Sequence, residues 1–443
     1  MRIGIVGGGM AGLTAAYRLS QAGHQVSLYE AQAGLGGQAA TFEIEGNRLE
    51  RFYHHMFHSD LAVLDLIAEL GLGDRLVWRA NRSGYFYGGQ IYDFVTPIDL
   101  LKFKPLPFLS RLILGVQTVW LQHFGDWHKL ERVTAKEWLL RRGTRAIYDV
   151  IWGALLRGKF GDLDDRVSMA WLATKIQVRR AHNGGELRET LGYLMGSLQP
   201  LIDGLAERIS AAGGVIHTNA PVERVHVAEG RCTGLSYHAD GALVTDDLDA
   251  VIMTVGSHVA LQIAPDLPAS YREMLAAQRY QGAIVMVATM ERSLVDNYWL
   301  SLPEQDIPLV VALEHTNFIG PEHYQGKRIL YLSNYVSADS AQFSMGKEEL
   351  LDLYEPTLRR LNPAFQRDWI VESWLFKDRF GQPVFETNYS QRIPPHETGV
   401  GGLYLANTSQ IYPEDRGVNF AIRLGEAITT IVQGGVARAS LRW

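Results

Sequence analysis

The feature that most constrains this chain is a cluster of glycines near its start, directly after a short apolar run at residues 2–6. The glycines are Gly7, Gly9 and Gly12, and an apolar helical pattern follows them. Gly7 permits a tight strand-to-helix turn, Gly9 lets the backbone approach a phosphate, and Gly12 lets the helix pack closely on the strand. Together these features predict a dinucleotide-binding βαβ unit.

Two further elements complete this predicted unit. The helix begins near Met10 and Ala11, where free N–H groups and the helix dipole favour a bound pyrophosphate. Glu30 follows the second predicted strand at residues 25–29, 18 positions after Gly12. A carboxylate at this point accepts hydrogen bonds from both ribose hydroxyls and repels a 2′-phosphate.

A second glycine-rich loop follows Glu30 and contains Ala31, Gly36, Gly37 and Gln38. In this position it resembles the second conserved segment of flavoproteins of the glutathione reductase type, particularly the amine oxidase, protoporphyrinogen oxidase and phytoene desaturase branch. The resemblance implies that FAD is the cofactor and that the loop passes beside its pyrophosphate. The family commonly has an arginine where this chain has Gln38, which supplies only a neutral hydrogen bond.

The C-terminal part of the chain carries a third match to this family. A predicted turn and strand at residues 401–407 end in Asn407, and residues 417–425 open the last predicted helix. The resemblance implies that Asn407, which replaces the usual Asp or Glu, meets the ribityl chain. It also implies that Gly417 and Val418 contact the flavin at the helix N-terminus, where negative charge collects on reduction.

The resemblance covers nearly the whole chain and predicts an α/β fold, with a Rossmann-like FAD-binding domain interleaved with an α+β substrate domain. Within the middle FAD-binding segment, Val222 is expected to pair its backbone with the adenine. At 443 residues the chain is too long for a single core. The expected divisions are FAD-binding segments at 1–80, 191–256 and 391–443, substrate-domain helices at 81–190 and a substrate-domain sheet at 257–390.

Composition excludes several classes of protein. A net charge of −6 argues against a nucleic-acid partner, and the single cysteine, Cys232, excludes an internal disulfide framework. The first predicted strand begins at residue 2, which leaves no room for a signal peptide, and no long uncharged apolar window predicts a transmembrane helix. No second glycine fingerprint indicates an NAD(P) domain. We therefore expect a cytoplasmic protein, with its oligomeric state and electron acceptor left open.

Residues 101–121 combine a basic, proline-containing start with an apolar helical pattern that has a Trp near its end. This pattern is consistent with a helix lying on a membrane surface. It is also consistent with a core helix of the substrate domain, with Arg111 at its polar edge, and the pattern favours this second structure.

The predicted flavin-facing segment, residues 51–60, is rich in aromatic and histidine side chains. Tyr53, His54 and His55 are expected to contact the flavin, and His54, His55 and His58 are candidates for catalysis. Three histidines so close together raise the alternative of a metal site. No other ligands at fixed spacing accompany them, so no metal is expected.

Two other candidates for catalysis lie further along the chain. His315 belongs to a polar break at residues 314–317 in an apolar strand, which is typical of a lined cavity. Lys377 precedes a segment, residues 379–385, that resembles the one crossing the flavin face in amine oxidases. A lysine in those enzymes bonds flavin N5 through water, although it usually sits elsewhere in the chain.

These observations predict an FAD-dependent oxidoreductase that removes a hydride from a C–C or C–N bond of a largely apolar small-molecule substrate. One alternative is a non-redox flavoenzyme, because residues 55–59 resemble the histidine segment of UDP-galactopyranose mutases. Basic groups at 152–166 and Arg179–Arg180 are available to hold a nucleotide diphosphate. The other alternative is FAD binding without turnover, which the departures at Gln38 and Asn407 favour.

Overall fold

The computed structural model describes residues 1–178 and 189–435, so Arg179 and Arg180 lie outside the described residues. Its strands are short and are distributed along the whole chain. They are β1 Arg2–Val6, β2 Gln25–Tyr29, β3 Thr41–Ile44, β4 Asn47–Glu50, β5 Leu76–Ala80, β6 Ser83–Tyr87, β7 Gln90–Asp93, β8 Thr190–Leu194, β9 Val215–His217, β10 Val222–Ala228, β11 Arg231–Ala239, β12 Ala242–Asp247, β13 Ala250–Met253, β14 Tyr280–Met290, β15 Trp299–Ser301, β16 Val311–Glu314, β17 Arg328–Val336, β18 Ile370–Pro383 and β19 Leu403–Leu405.

The helices fall between these strands and concentrate in one long stretch of the chain, residues 97–178. They are α1 Met10–Gln21, α2 Leu61–Glu69, α3 Pro97–Lys102, α4 Phe108–Phe124, α5 Trp127–Leu130, α6 Ala135–Arg142, α7 Arg145–Ile147, α8 Gly153–Phe160, α9 Met169–Val178, α10 Gln199–Ala211, α11 Ser257–Ile263, α12 Ala269–Ala276, α13 Ala341–Ser344, α14 Lys347–Leu361 and α15 Val418–Val432.

A five-stranded parallel sheet, in the order β19-β13-β1-β2-β9, carries the N-terminal glycine cluster. Its strands β1 and β13 are buried and apolar except for the exposed Arg2, and α1 and α10 pack on the sheet through a core that includes Leu13, Leu19 and Leu205. The last helix, α15, lies directly against α1. A Cβ at Gly425 would stand 2.6 Å from the carbonyl oxygen of Ala11, so this close helix contact requires glycine.

A second sheet of seven strands, in the order β18-β14-β17-β16-β15-β6-β7, forms the other half of the molecule. All neighbouring pairs are antiparallel except β15 with β6. One face of this sheet, including Ile284, Met286 and Leu332, packs on α14 around Tyr354. The opposite face is lined by aromatic and aliphatic side chains and turns towards residues 42–57.

The predicted α/β class, with an interleaved second sheet, is confirmed. One detail differs from expectation, because residues 81–190 were predicted to be helical but begin with the hairpin β6–β7. That hairpin joins the seven-stranded sheet through β15, more than 200 residues further along the chain. Gly88 and Gly89, both with positive φ, form its turn. Such a pairing depends on a distant edge strand, which local periodicity does not reveal.

Candidate functional site

The two glycine-rich loops meet above the parallel sheet. The amide N–H of Gly36 donates to the carbonyl of Gly8 at 2.8 Å, and Gly9 and Gly36 form a β-bridge. A Cβ added to Gly37 would stand 3.1 Å from the Cα of Gly9. Gly36 and Gly37 also have φ of 109° and 58°, a backbone conformation that favours glycine. The loop predicted to follow the pyrophosphate is therefore held directly over the first glycine turn.

The first turn is equally tight. A Cβ at Gly12 would stand 2.0 Å from the carbonyl oxygen of Gly7, so no other residue fits without moving the turn. The helix α1 then starts at Met10, with Gly9 as an N-cap that supplies no side-chain hydrogen bond. The first N–H groups of α1 therefore have no side-chain cap, which is the arrangement that binds a phosphate at a helix N-terminus.

The acidic residue predicted at the ribose lies at the mouth of the same turn. Glu30 accepts hydrogen bonds from the N–H groups of Gly8 at 2.7 Å and Gln32 at 2.8 Å, which fixes its carboxylate beside the turn. Ala31 is exposed next to it. The carbonyl of Glu30 also binds the N–H of Ala220, which brings the start of β10 at Val222 to this end of the sheet.

The side chain of Asn407 forms hydrogen bonds within the protein. Asn407 Oδ1 accepts hydrogen bonds from the N–H of Ser409 at 3.0 Å and from the Ser409 hydroxyl at 2.6 Å. Asn407 Nδ2 donates to the carbonyl of Val255 and the hydroxyl of Ser257. The side chain that was expected at the ribityl chain therefore fastens the loop after β19. Gly417, with an extended φ of 175°, precedes α15 without a side-chain cap, and Val418 is partly buried at the first turn of that helix.

The segment predicted to face the flavin lies over the aromatic face of the seven-stranded sheet. The ring of Tyr53 packs edge-on against Trp299, with a centroid separation of 5.0 Å. His54 is partly buried, and its Nδ1 atom is buried without a hydrogen-bond partner among the described residues. Burial lowers the pKa of His54 to about 4, and the charge of Arg416 acts in the same direction. His54 is thus neutral near pH 7.

The other two histidines of this segment point elsewhere. His55 Nδ1 lies 3.3 Å from the hydroxyl of Tyr298. His58 contacts Thr190 at 2.9 Å and stacks on Trp78 at a centroid distance of 3.5 Å. Within residues 1–178 and 189–435, no three His, Cys, Asp or Glu side chains gather in a group that could hold a metal ion.

His315 and Lys377 both make structural contacts. His315 is buried against Tyr324, 2.8 Å from its hydroxyl, and burial lowers its pKa to about 3. Its neighbour Glu314 accepts two backbone N–H groups, from Leu294 and Val295. The polar residues at 314–317 thus hydrogen-bond to neighbouring segments of the chain. Within the described chain they do not line a cavity, contrary to the prediction from the sequence.

The ammonium group of Lys377 donates to the carbonyls of Phe343 and Met345, both at 2.5 Å. These contacts tie β18 to the segment around α13. They do not direct the side chain towards the glycine loops or the residues around His54.

Sequence reasoning missed a charged cluster just before α15. Asp415 binds Lys159 at 2.5 Å and Lys175 at 2.9 Å, and Arg416 follows it in the chain. Although burial acts to raise the pKa of Asp415, the two lysines hold it well below its usual value. The available signal was the Asp-Arg pair immediately before Gly417. Because the lysines come from α8 and α9, the sequence did not reveal their convergence.

The aromatic face of the seven-stranded sheet forms an apolar floor. In adjacent strands, Val285 is paired with Ser333 and Phe376, and Val287 is paired with Tyr331 and Trp374. The ring of Phe42, two residues after Ala40, packs on both Trp374 and Phe376. The floor therefore lies beside the chain segment that links the phosphate loop to His54.

The parallel sheet, the paired glycine loops, Glu30 and the uncapped α15 define an FAD-binding flavoprotein with a second, apolar domain. Comparison with known proteins agrees with this class. The family described as flavin containing amine oxidoreductase matches residues 10–425. The chain belongs to that family. It is an FAD-dependent oxidoreductase of the amine oxidase and desaturase group, and its cofactor is FAD.

Individual relatives span this group. A 15-cis-phytoene desaturase of an Oncidium hybrid cultivar is 23% identical over 93% of this chain and 74% of its own length. A solved structure from Exiguobacterium sp. 255-15, described as a protoporphyrinogen oxidase, has a TM-score of 0.75, with 18% identity and 98% of each chain covered. Cyclohexylamine oxidase from Brevibacterium oxydans has a TM-score of 0.73, with 16% identity and 98% of each chain covered. The two solved structures show the shared fold.

Proposed function

We propose that this protein removes a hydride from a C–C bond of a largely apolar, uncharged substrate. The observation that carries this proposal is the charge beside the apolar floor. Lys159 and Lys175 both bind the carboxylate of Asp415, and the adjacent Arg416 has only neutral hydrogen-bond partners among the described residues. A site with this excess positive charge disfavours an incoming ammonium ion, whereas a hydrocarbon is unaffected by it.

The tyrosines available for an amine-binding cage support the same choice. Tyr389 and Tyr412 are buried in a separate core with Phe385, and the hydroxyl of Tyr389 is bound to the carbonyl of Ser409 at 2.7 Å. Tyr404 is part of the parallel sheet. None of these three rings belongs to the floor of the seven-stranded sheet.

When FAD is bound, it supplies the hydride acceptor. The chain's own residues orient the substrate and exclude water. The partly exposed rings of Trp374 and Phe376 on β18, beside the buried Val285 and Val287 of β14, provide an apolar surface that favours one pose of a flexible substrate. The proton that leaves with the hydride goes to a neutral acceptor or to solvent. His54 is disfavoured as that acceptor, because burial and the charge of Arg416 lower its pKa to about 4 and so oppose its protonation.

The test is anaerobic mixing of the purified holoprotein with one representative of each substrate class. These are a detergent-dispersed acyclic polyene, a porphyrinogen and a primary aliphatic amine. Loss of the visible absorption of oxidised flavin is the readout. We expect bleaching with the uncharged polyene, and the porphyrinogen, which carries carboxylate groups, is the anionic comparison. Bleaching by the amine alone would refute the proposed substrate class.

A second candidate function has one observation in its favour. The cations Lys159, Lys175 and Arg416 resemble the kind of cluster that holds a nucleotide diphosphate. Turnover of a UDP-sugar only after dithionite reduction would therefore favour the mutase-like alternative. Retention of FAD with no response to any of these compounds would favour binding without turnover.

We also propose that residues 101–121 contact a membrane surface. The helix α4 buries Leu114 and Leu121 but exposes its other face, with Leu109 66%, Val116 70% and Phe124 69% exposed. The core-helix alternative thus accounts for only one side of it. Several further apolar side chains extend this surface along α3 and α4: Ile98, Leu101, Phe108, Leu112, Val119 and Trp120.

A lipid surface is the partner that this face fits, because exposed Lys102 and Lys104 stand at one end of it and match anionic headgroups. No helix among the described residues has the length and apolar content needed to cross a bilayer. Contact would therefore be interfacial, and it would give an apolar substrate a short path to the protein. A cytoplasmic location stays a prediction.

Flotation with anionic phospholipid vesicles tests this contact. The double variant Leu109→Glu/Val116→Glu is expected not to float with the vesicles. The control is Leu243→Glu, at an apolar position that is 55% exposed on β12, and it is expected to float like the wild type. Absence of the wild-type protein from the lipid fraction would refute the membrane contact. Equal flotation of all three proteins would refute the role of α4.

A further inference from the structure

Arg416 is a partly buried cation that has only neutral hydrogen-bond partners in the described part of the chain. Its Nε donates to Gln382 Oε1 at 3.2 Å, its Nη1 to Gln38 Oε1 at 3.3 Å and its Nη2 to the hydroxyl of Tyr335 at 3.2 Å. Three acceptors fix the plane of the guanidinium, yet none of them neutralises its charge.

The neighbouring carboxylates are already committed. Asp415 binds both Lys159 and Lys175, and Asp378 accepts a hydrogen bond from Gln38 Nε2 at 2.7 Å. Among residues 1–178 and 189–435, Arg416 forms no ion pair with either of them. The charges of Asp415 and Asp378 act on Arg416 only without direct contact. Withdrawing a charge from water without a direct ion pair costs free energy, so the site favours a ligand that supplies the opposite charge.

The position of Arg416 indicates which ligand this is. It directly precedes Gly417, the N-cap of the 15-residue helix α15, and it touches Gln38, which follows Gly36 and Gly37 in the phosphate loop. A second observation points to the same space. His54 Nδ1 is buried there without a partner, close enough for the charge of Arg416 to act on it.

We propose that Arg416 supplies the positive charge that faces the negatively charged part of FAD, in place of the arginine that related flavoproteins commonly carry at position 38. Gln38 is then the matching partner. Its Oε1 holds Arg416, and its Nε2 is held by Asp378. An arginine at position 38 would place two guanidinium groups against each other, so the charge is carried at one of the two positions.

This inference rests on the FAD site and not on the substrate, so failure of the substrate assay leaves it standing. The test compares full-length Arg416→Gln, Gln38→Arg and the double variant. The FAD dissociation constant is measured by fluorescence of the released cofactor. We expect Arg416→Gln to weaken binding about tenfold or more, as for loss of a charge-assisted hydrogen bond. Gln38→Arg alone is also expected to weaken binding, through repulsion.

The double variant is the decisive measurement, because it returns the charge to the loop beside Asp378. We expect the double variant to bind FAD within about threefold of the wild-type affinity. The coupling between the two positions is the difference between its change in affinity and the sum of the two single changes. Arg416→Lys, which keeps the charge, guards against a folding defect and is expected to retain most of the affinity. Arg360→Gln, which removes an arginine paired with Glu304 and Asp306 away from this site, is the control.

Negative charge resides on the FAD diphosphate at all times and on the flavin ring only after reduction, and the experiment separates these sources. An equal loss of affinity for oxidised and reduced FAD indicates the diphosphate. A loss confined to reduced FAD, with a lowered midpoint potential, indicates the ring. Unchanged affinity and potential in Arg416→Gln would overturn the proposal, as would a double variant that binds FAD no better than Arg416→Gln.

Discussion

Glu50 provides a direct test of how burial controls the stability of this fold. It is 2% exposed at the end of β4, directly before the segment that contains Tyr53 and His54. The hydroxyl of Tyr193 donates to its Oε2 at 3.2 Å, and no cation forms an ion pair with it among the described residues. Burial raises the pKa of Glu50 from 4.5 to about 7. The charged form is therefore disfavoured in the folded protein.

The sign of the pH dependence follows from this shift. Between the two pKa values the folded protein binds more protons than the unfolded chain, so the contribution of Glu50 to stability falls as pH rises. At roughly 1.4 kcal/mol per pKa unit, the full loss between pH 4 and pH 8 is about 3 kcal/mol. Glu50→Gln removes the ionisation but keeps a carbonyl oxygen for Tyr193. It should therefore gain stability relative to the wild type as pH rises.

Urea unfolding of both proteins at pH 5 and pH 8 measures this difference. The control is Glu43→Gln, at an exposed position on the adjoining strand β3, which should change stability by less than about 0.5 kcal/mol at both pH values. A stability difference between Glu50→Gln and the wild type that is independent of pH would show that Glu50 is not an uncompensated buried carboxyl group.

Three other substitutions test separate parts of the structure. Gly12→Ala should lower stability by about 1–3 kcal/mol and reduce FAD retention, because the added Cβ meets the Gly7 carbonyl. Gly34→Ala, at a position with open space around it, is the control and should be neutral. Equal thermal unfolding curves for the two variants would contradict this prediction. Asp415→Asn should lower the free energy of unfolding by about 3–5 kcal/mol. Because the pKa of Asp415 is lowered in the folded protein, the wild type loses stability as pH falls, and the variant should not show this loss. Chemical unfolding at several pH values measures both effects. Lys377→Met should cost about 1–3 kcal/mol without changing FAD affinity, and a selective loss of flavin reduction would instead support a catalytic lysine.

Several parts of this protein could be predicted from short stretches of sequence. The turn at Gly7, Gly9 and Gly12 and the loop at Gly36 and Gly37 impose backbone conformations and close contacts that only glycine satisfies. Their spacing therefore indicates the βαβ unit, and their resemblance to the flavoprotein family implies the cofactor class. The apolar strands β14 and β17 and the helix α15 were predicted for a similar reason, because their periodicity is local.

Other properties depend on which distant residues meet. The bond between Gln38 and Arg416 joins positions 378 residues apart, and the two lysines on Asp415 come from helices about 240 and 256 residues earlier in the chain. The same holds for Asn407 Nδ2, which donates to Val255 and Ser257, and for Lys377, whose partners also lie far away in the sequence. Side-chain partners follow from the packing of whole domains, so they are fixed only when the chain has folded.

The sequence by itself thus determined the βαβ unit with its glycine turn and, through the family resemblance of its motifs, the cofactor class. Glycine geometry and short motifs are local properties, so the sequence alone reveals them. The tertiary structure alone decided where the positive charge gathers, which face of α4 stays in solvent and which side of the second sheet forms the apolar floor. Those properties arise from long-range burial and pairing, which no single segment of the chain contains.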